Sequence, residues 1–416
     1  MPIVQTRNLS PASGSTADER PAEHALPLGA RWVGHFLANI RIGRLRVTTD
    51  DGGSAECIGA EQPELSVSVH LHHPTRLLSR IARLGDIGIA EGFIEGDFTT
   101  DDLTGLLEIG ARNFEAIGDE LRPGFWARLG HRIQHALRAN HRRGSRRNIA
   151  AHYDLGNDFY RLWLDESMTY SAAVFAEPDE SLITAQQRKY DRLIDRLDAR
   201  PEDRVLEIGC GWAGLAESAA HRGLRLDGLT LSTEQLAYGR DRLASAGLDD
   251  RARLHLTDYR DQGGQFDHIV SIEMFEAVGE RYWPTFFQTV HDRLKPGGRA
   301  AIQVITIDED AFEGYRREPD FIQLYIFPGG MLPSIERFEA GAAAAGLTVR
   351  ETALFGHDYA RTLARWRERF DAVEDELETM GFDHRFRQIW RYYLAYCEAG
   401  FLAGRINVAQ VILERP

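Results

Sequence analysis

The chain has 416 residues, 43% hydrophobic and 27% charged, enough for two or three domains with sizeable cores. Its formal net charge of -14 excludes a molecule drawn as a whole to nucleic acid or to an anionic surface; any such attraction must be local. Three widely spaced cysteines, Cys57, Cys210 and Cys397, give neither a disulfide framework nor a zinc site, so a reducing cytoplasm fits and no metal is expected.

Residues 1–28 are rich in Pro, Ser, Ala and charge and lack the apolar core of a secretory signal, which predicts a disordered start. No apolar run approaches a membrane span, so any membrane contact would be peripheral. Residues 29–120 mix strand and helix signals. LSVSVHLHHP alternates as a half-buried strand does, PTRLLSRIARLG has helical spacing, and DLTGLLEIGARNF reads as a helix opened by Asp101 or Asp102. This predicts a small α+β domain. Residues 121–150 hold eight arginines, three histidines and no acid, with Phe125, Trp126, Leu129, Ile133 and Leu137 near helical spacing. A basic amphipathic helix suits an anionic membrane surface, where each basic residue contributes about 1 kcal/mol. A solvated linker between domains is the alternative.

From 151 to 416 strands and helices alternate. RVLEIG, LRLDGLTLS, ARLHLTD, FDHIVSIEMF and RAAIQVITI read as strands. GLAESAAHRG, TEQLAYGRDRLASAG and YWPTFFQTVHDRLKPGG read as helices, the second capped by Ser232 or Thr233 and the third stopped by glycine. The order predicts an α/β domain built on a doubly wound, mainly parallel sheet.

In such a sheet a ligand sits beyond the carboxyl ends of the first strands. VLEIGCGWAG (205–214) places Glu207, Gly209, Cys210, Gly211 and Gly214 there, and the glycines let backbone approach a ligand. The spacing alone serves a dinucleotide or S-adenosylmethionine. Local chemistry favours the latter. The second strand ends in Thr230, Leu231, Ser232 and Gln235 instead of the carboxylate a dinucleotide ribose wants. Glu207 also puts negative charge where a sulfonium and an ammonium, not a pyrophosphate, would be welcome.

Longer stretches carry a resemblance. AHYDLGNDFYRLWLDESMTYSAAVF (151–175), VLEIGCGWAGLA, GLTLSTEQ, DYRD, FDHIVSIEMFEAVGERYW, YIFPGGMLPS and YYLAYCEAGF occur in order. Together they resemble the cyclopropane-fatty-acyl-phospholipid synthase family over about 145–416, and LGDIGIAEGFIEGDFTTDDLTGLL (84–107) resembles the lipid-facing domain of its longer bacterial members. The resemblance implies a Rossmann-like class I methyltransferase domain at 151–416, a lipid-binding domain at 29–120 and the basic linker at 121–150 between them. It implies S-adenosylmethionine as cofactor and a cis-unsaturated phospholipid acyl chain as substrate. It further implies a cytoplasmic protein peripheral at the inner membrane surface, with a homodimer allowed. By resemblance, Tyr170 and Ser171 lie near the methionine end of the cofactor, Gly209, Cys210 and Gly211 form its loop, and Thr230, Leu231 and Gln235 surround the ribose. Tyr259 and Arg260 lie on the adenine side, and Ile272 joins the cofactor set.

An alkene is a poor nucleophile, so its methyl must come from an activated sulfonium, and the carbocation that results must be kept from water until a base removes a proton. In the family a bound bicarbonate is thought to be that base. Its cradle matches Glu276, Gln303, Ile305, Tyr359 and the backbone at Ala172. Gln303 stands where the family usually has histidine, Ala172 where it often has cysteine, and Ala277 where a histidine usually follows the glutamate. Glutamine orients an anion by hydrogen bonds but holds no proton. The resemblance makes methyl transfer of the cyclopropane synthase type, with ring closure across the alkene, the leading reading; the altered cradle leaves methyl branching, desaturation of an already methylated chain and a non-catalytic lipid-binding protein as alternatives.

Overall fold

A computed structural model describes residues 26–118 and 155–416. The expected disordered start, as far as residue 25, and the basic segment at 121–150 lie outside the described residues. The chain divides into two compact units, 1–130 with 383–403, and 131–382 with 404–416.

In the first unit, β1 (Ile42–Thr49), β2 (Ser54–Ile58), β3 (Glu61–Leu71) and β4 (Phe98–Thr100) form a sheet in the order β2-β1-β3-β4. β1 and β2 pair as an antiparallel hairpin, whereas β1 and β3 run parallel. Val67, Val69 and Leu71 of β3 alternate inward onto Leu77 and Ile81 of the helix Pro74–Leu84, as the sequence pattern requires. Asp102 caps the helix Leu103–Arg112 by accepting from the Gly105 amide at 2.9 Å.

This unit departs from the expected boundaries, because it takes in the helix His384–Leu402 from near the C-terminus. That helix buries Trp390, Tyr392, Tyr393, Leu394 and Phe401, more apolar surface than one face of a solvent-bathed helix can leave in water. Within the unit its Glu398 accepts from Thr104 at 3.2 Å, Arg112 donates to the Leu402 carbonyl at 2.7 Å, and Arg385 pairs with Glu95 at 2.6 Å. Sequence order alone had assigned the helix to the second domain.

In the second unit, β5 (Arg204–Ile208), β6 (Arg225–Thr230), β7 (Ala252–Leu256), β8 (Phe266–Ile272), β9 (Leu294–Ile307), β10 (Thr348–Leu354) and β11 (Ile406–Glu414) form one sheet. Its order is β10-β11-β9-β8-β5-β6-β7. The pairs β6–β7, β5–β6, β5–β8 and β8–β9 are parallel, and β11 alone runs against its neighbours β9 and β10. Two cores cover the sheet. Phe275, Phe286, Phe287 and Phe338 lead one; Leu193, Val205, Leu215, Leu226 and Leu254 lead the other. The central strands are therefore apolar on both sides, which is why their sequences read as runs and do not alternate.

The helix Trp283–Arg293 ends before the expected glycine stop, and Lys295–Gly298 enter β9 at once. Gly297 takes φ +76° there and its amide donates to the Arg415 carbonyl at 2.7 Å, so the glycines serve the start of an interior strand and not a helix cap. Gly228 of β6 has no room for a side chain, since a Cβ would lie 2.7 Å from Leu254 and 3.0 Å from Cys210. That close packing presses the loop after β5 onto the sheet. No described helix is long and apolar enough to cross a membrane.

Candidate active site

The loop after β5 turns sharply at the strand ends. Gly209 and Gly211 adopt φ +86° and +49°, and Ala213 takes φ +68° before the helix Gly214–His221 begins. The Gly209 and Cys210 amides both donate to the Leu229 carbonyl of β6, at 3.0 and 2.8 Å, so the loop is held by backbone and Cys210 serves there through its main chain. Burial also pushes the Cys210 thiol well above its usual range. At the end of β6, Thr230 donates to Gln235 at 3.1 Å and accepts from the Ser232 amide at 3.1 Å, while Ser232 caps the helix Thr233–Ser245 through the Gln235 amide. Leu231 sits between them, partly exposed.

Glu207 is buried at 3% exposure, and its Oε2 atom has no hydrogen-bond partner. Burial raises its carboxyl to about 8, against the pull of Lys189 and Arg242. A Cβ on Gly211 would meet nothing within 4 Å, so open space adjoins the loop. The unpartnered carboxyl oxygen of Glu207 leaves a buried polar atom that amine or hydroxyl groups of a bound cofactor would satisfy. Tyr259 and Arg260 follow β7. The guanidinium of Arg260 is bound to Asp258 at 2.8 and 2.5 Å, and Tyr259 packs on Phe286 at 5.7 Å between centroids with its buried hydroxyl unpartnered.

Beyond β8 stand two carboxylates, Glu273 and Glu276. Glu273 follows Ile272, the last residue of β8, and was not singled out in the sequence. Its Oε1 accepts from the Ala172 amide at 2.8 Å and from Gln303 Nε2 at 2.8 Å; its Oε2 accepts from the Tyr359 hydroxyl at 2.7 Å. Gln303, fully buried on β9, also donates to the Ala172 carbonyl at 3.3 Å and accepts from Gln410 of β11 at 3.0 Å. Three of the groups expected to hold bicarbonate thus converge on a side-chain carboxylate. Their donors are engaged, so the expected bicarbonate does not fit between them.

The remaining two cradle residues meet each other: Glu276 Oε1 accepts from the Ile305 amide at 2.6 Å. The Glu276 carbonyl accepts from the Met331 amide at 2.9 Å, which places the turn of FPGG against this glutamate.

Glu273 has φ +48°, the left-handed region that glycine adopts freely and other residues seldom. Holding it there costs about 1–3 kcal/mol, a strain that persists where surroundings over-determine the conformation. A carboxylate three residues before Glu276, ending an apolar strand, was the available signal. Its meaning appears only when Ala172, Gln303 and Tyr359 arrive from distant parts of the chain.

Two acids this close cannot both ionise cheaply. Burial raises both. Hydrogen bonds from Tyr359, Ala172 and Gln303, with the charge of Lys189, oppose the rise at Glu273. Glu276 has one backbone donor and is pushed up to about 8 by burial and then by the charge of Glu273. The donors and the charge of Lys189 favour the ionised form at Glu273, whereas Glu276 holds its proton near neutrality.

A third ionisable group completes the cluster. Lys189, on the helix Leu182–Leu197, is fully buried and donates to Ser171 Oγ at 2.6 Å. Burial lowers it to about 7, against the charges of Glu273, Asp165 and Glu207. Beside Ser171, Tyr170 lies against Tyr160, Trp163 and Trp366, with ring centroids 5.3–5.5 Å apart. Tyr359 reaches the same wall through Trp366 at 6.1 Å. Such a wall excludes water and presents ring faces to positive charge.

The raised acids make a prediction. Between pH 4.5 and 8 the fold retains protons on Glu207 and Glu276 that the unfolded chain has released, so stability falls as pH rises through that window. Urea unfolding of the cofactor-free protein should show a fall of a few kcal/mol from pH 5 to 8, and Glu276→Gln should reduce that fall by about half, Glu207 supplying the rest. An unchanged slope in that variant would place the proton elsewhere.

Comparison with known proteins identifies the family. Residues 140–411 match the family model described as mycolic acid cyclopropane synthetase. The chain is 39% identical over 424 residues to the tuberculostearic acid methyltransferase UfaA1 of Mycobacterium tuberculosis, covering 98% of this chain and 97% of that protein. It is 34% identical over 345 residues to the cyclopropane-fatty-acyl-phospholipid synthase of Escherichia coli, covering 81% and 85%. Among solved structures, the mycolic acid cyclopropane synthase CmaA1 complexed with SAH and CTAB superposes with a TM-score of 0.61 at 31% identity, covering 64% of this chain and 97% of that one. A cofactor loop at the switch point of a doubly wound sheet, a buried carboxylate cluster beside it and a family match over most of the chain lead to one assignment: the chain belongs to the mycolic acid cyclopropane synthetase family of S-adenosylmethionine-dependent methyltransferases.

Proposed function

We propose that the chain methylates the cis double bond of an unsaturated phospholipid acyl chain and yields a methyl-branched product, with Glu273 as its built-in base. One observation carries this reading: the carboxylate of Glu273 takes the donors of Ala172, Gln303 and Tyr359. A relative that aligns over 98% of the chain is a tuberculostearic acid methyltransferase, which supports branching over ring closure.

Glu207 and the loop Gly209–Gly211 hold S-adenosylmethionine, with Thr230, Leu231 and Gln235 at the ribose, Tyr259 and Arg260 toward the adenine, and Tyr170, Ser171 and Ile272 at the methionine end. The cofactor supplies an electrophilic methyl on sulfur, which the alkene takes, leaving a neutral thioether and a carbocation on the acyl chain. Tyr170 and the tryptophans behind it exclude water from that cation. Glu273 accepts the proton the cation loses, and the freed electron pair forms an alkene beside the new branch, or a ring bond. Tyr359, Gln303 and the Ala172 amide hold the carboxylate in place, and neutral Glu276 shields it from a second negative charge. The enzyme takes its substrate as a peripheral protein at the inner membrane surface.

Ring closure is the second reading. It is favoured by the E. coli relative and by the Glu276–Ile305 contact in the expected place. Trideuteromethyl cofactor and vesicles of cis-unsaturated phospholipid separate the two. The expected product keeps an alkene. It carries three deuteriums if a chain proton leaves, or two if hydride shift precedes loss from the methyl and gives a methylene branch. A saturated product with two deuteriums and a ring, distinguished by NMR, would establish the second reading. Absence of label on any lipid, with cofactor bound, would sink both.

A further inference from the structure

The first unit carries a constellation that methyl transfer does not use. His70 of β3 and His72, the residue after the strand's end, flank buried Leu71 and both reach Asp50. Asp50 is the residue after β1. His70 Nε2 lies 2.7 Å from Asp50 Oδ1, and His72 Nδ1 lies 3.3 Å from the same oxygen. The ligand-capable atoms of the three side chains fall within 4.8 Å of one another.

Each imidazole turns its other nitrogen to a threonine. His70 Nδ1 lies 2.8 Å from Thr48 Oγ1 on β1, and His72 Nε2 lies 3.1 Å from Thr99 Oγ1 on β4. The sheet register sets Thr48 directly opposite His70 and Thr99 on its other side, from where Thr99 meets His72 diagonally. A metal-bound histidine is usually oriented in this way, its far nitrogen held by an oxygen so that the near one offers a lone pair. Asp50 is also fixed. The turn that follows it is closed by the Thr49 amide donating to the Gly53 carbonyl at 3.0 Å and by Thr49 Oγ1 donating to Asp51 at 2.5 Å.

We propose that Asp50, His70 and His72 form a divalent metal site of the zinc class on the N-terminal sheet. Two imidazoles and one carboxylate are the donor set of a borderline cation, and water completes a tetrahedron because His70, His72 and Asp50 remain 38%, 35% and 62% exposed. Tetrahedral ligands at zinc stand about 3.4 Å apart; the His72–Asp50 separation of 3.3 Å already matches this, the His70–Asp50 contact of 2.7 Å opens to it, and the two imidazoles, within 4.8 Å, close to it. The ion would tie the end of β1 to β3, with β4 bracing one ligand from behind. It is a structural clip, remote in function from the methyltransferase site.

The test uses the full chain without an affinity tag, titrated with Zn²⁺ by calorimetry and with Co²⁺ by visible absorption. The expected result is one equivalent of metal with the intense bands of four-coordinate cobalt. His72→Ala should weaken that binding by about 100-fold or more and Thr99→Val, which touches no metal, by about 10-fold. Methyl transfer by both variants should match the unaltered enzyme. Binding that survives in the His70→Ala/His72→Ala protein arises at other histidines and overturns the proposal, as does the absence of uptake by the unaltered chain. A Thr99→Val protein that binds like the parent would reduce the site to a surface histidine pair without the built second shell, and would equally count against it.

Discussion

Glu273→Gln should reduce turnover by about 10²–10⁴-fold while leaving S-adenosylmethionine affinity nearly unchanged. Glutamine keeps the shape and one acceptor for Ala172 and Gln303, so the fold should survive; it removes the group that takes the proton. Glu276→Gln should cost far less, because that carboxyl is already neutral near pH 7. The more telling variant is Glu273→Gly. Glycine is at ease at φ +48°, so the backbone loses strain as the side chain is removed. The Ala172 amide, Gln303 Nε2 and the Tyr359 hydroxyl then face a cavity the size of a carboxylate. Added bicarbonate should restore part of the activity in this variant, and stripping carbon dioxide should leave the unaltered enzyme unaffected. If the unaltered enzyme instead depends on bicarbonate, or Glu273→Gln turns over at full rate, Glu273 is not the base.

The second large effect falls on Lys189. Its ammonium is the buried cation set among Glu273, Asp165 and Glu207. Lys189→Met fills the space but leaves those acids without their counter-charge. Removing one partner from a buried charge cluster costs about 3–5 kcal/mol, which is a melting temperature lower by roughly 10 °C. The pH dependence should move as well. The charge of Lys189 lowers the carboxyls of Glu273 and Glu207, so its loss raises both, and the acid limb of the kcat profile should shift to higher pH. A Lys189→Met protein with the parental melting temperature and pH profile would mean that Lys189 supplies no counter-charge in the fold.

Local order was legible wherever one stretch of chain decides it. The strands RVLEIG and FDHIVSIEMF, the Ser232 and Asp102 caps and the glycine turn after β5 depend on residues within a few positions of one another, and they form as the sequence pattern requires. The cofactor class followed from the same short reach, because Glu207, Gly209 and Gly211 lie within five residues. Three features did not follow. The helix His384–Leu402 is apolar and helical by pattern, but no local signal says which unit buries it; only the surface it covers decides. β11 enters the sheet antiparallel, and strand sequences do not encode direction. Glu273 is the sharpest case. As one acid after an apolar strand it could have been a solvated strand end. It becomes the centre of the site because Ala172, Gln303 and Tyr359, up to 101 residues away, bring their donors to its two oxygens. Periodicity and propensity are local properties and survive in the sequence. A buried charge is made tolerable by partners, and partners are brought together only by the tertiary fold.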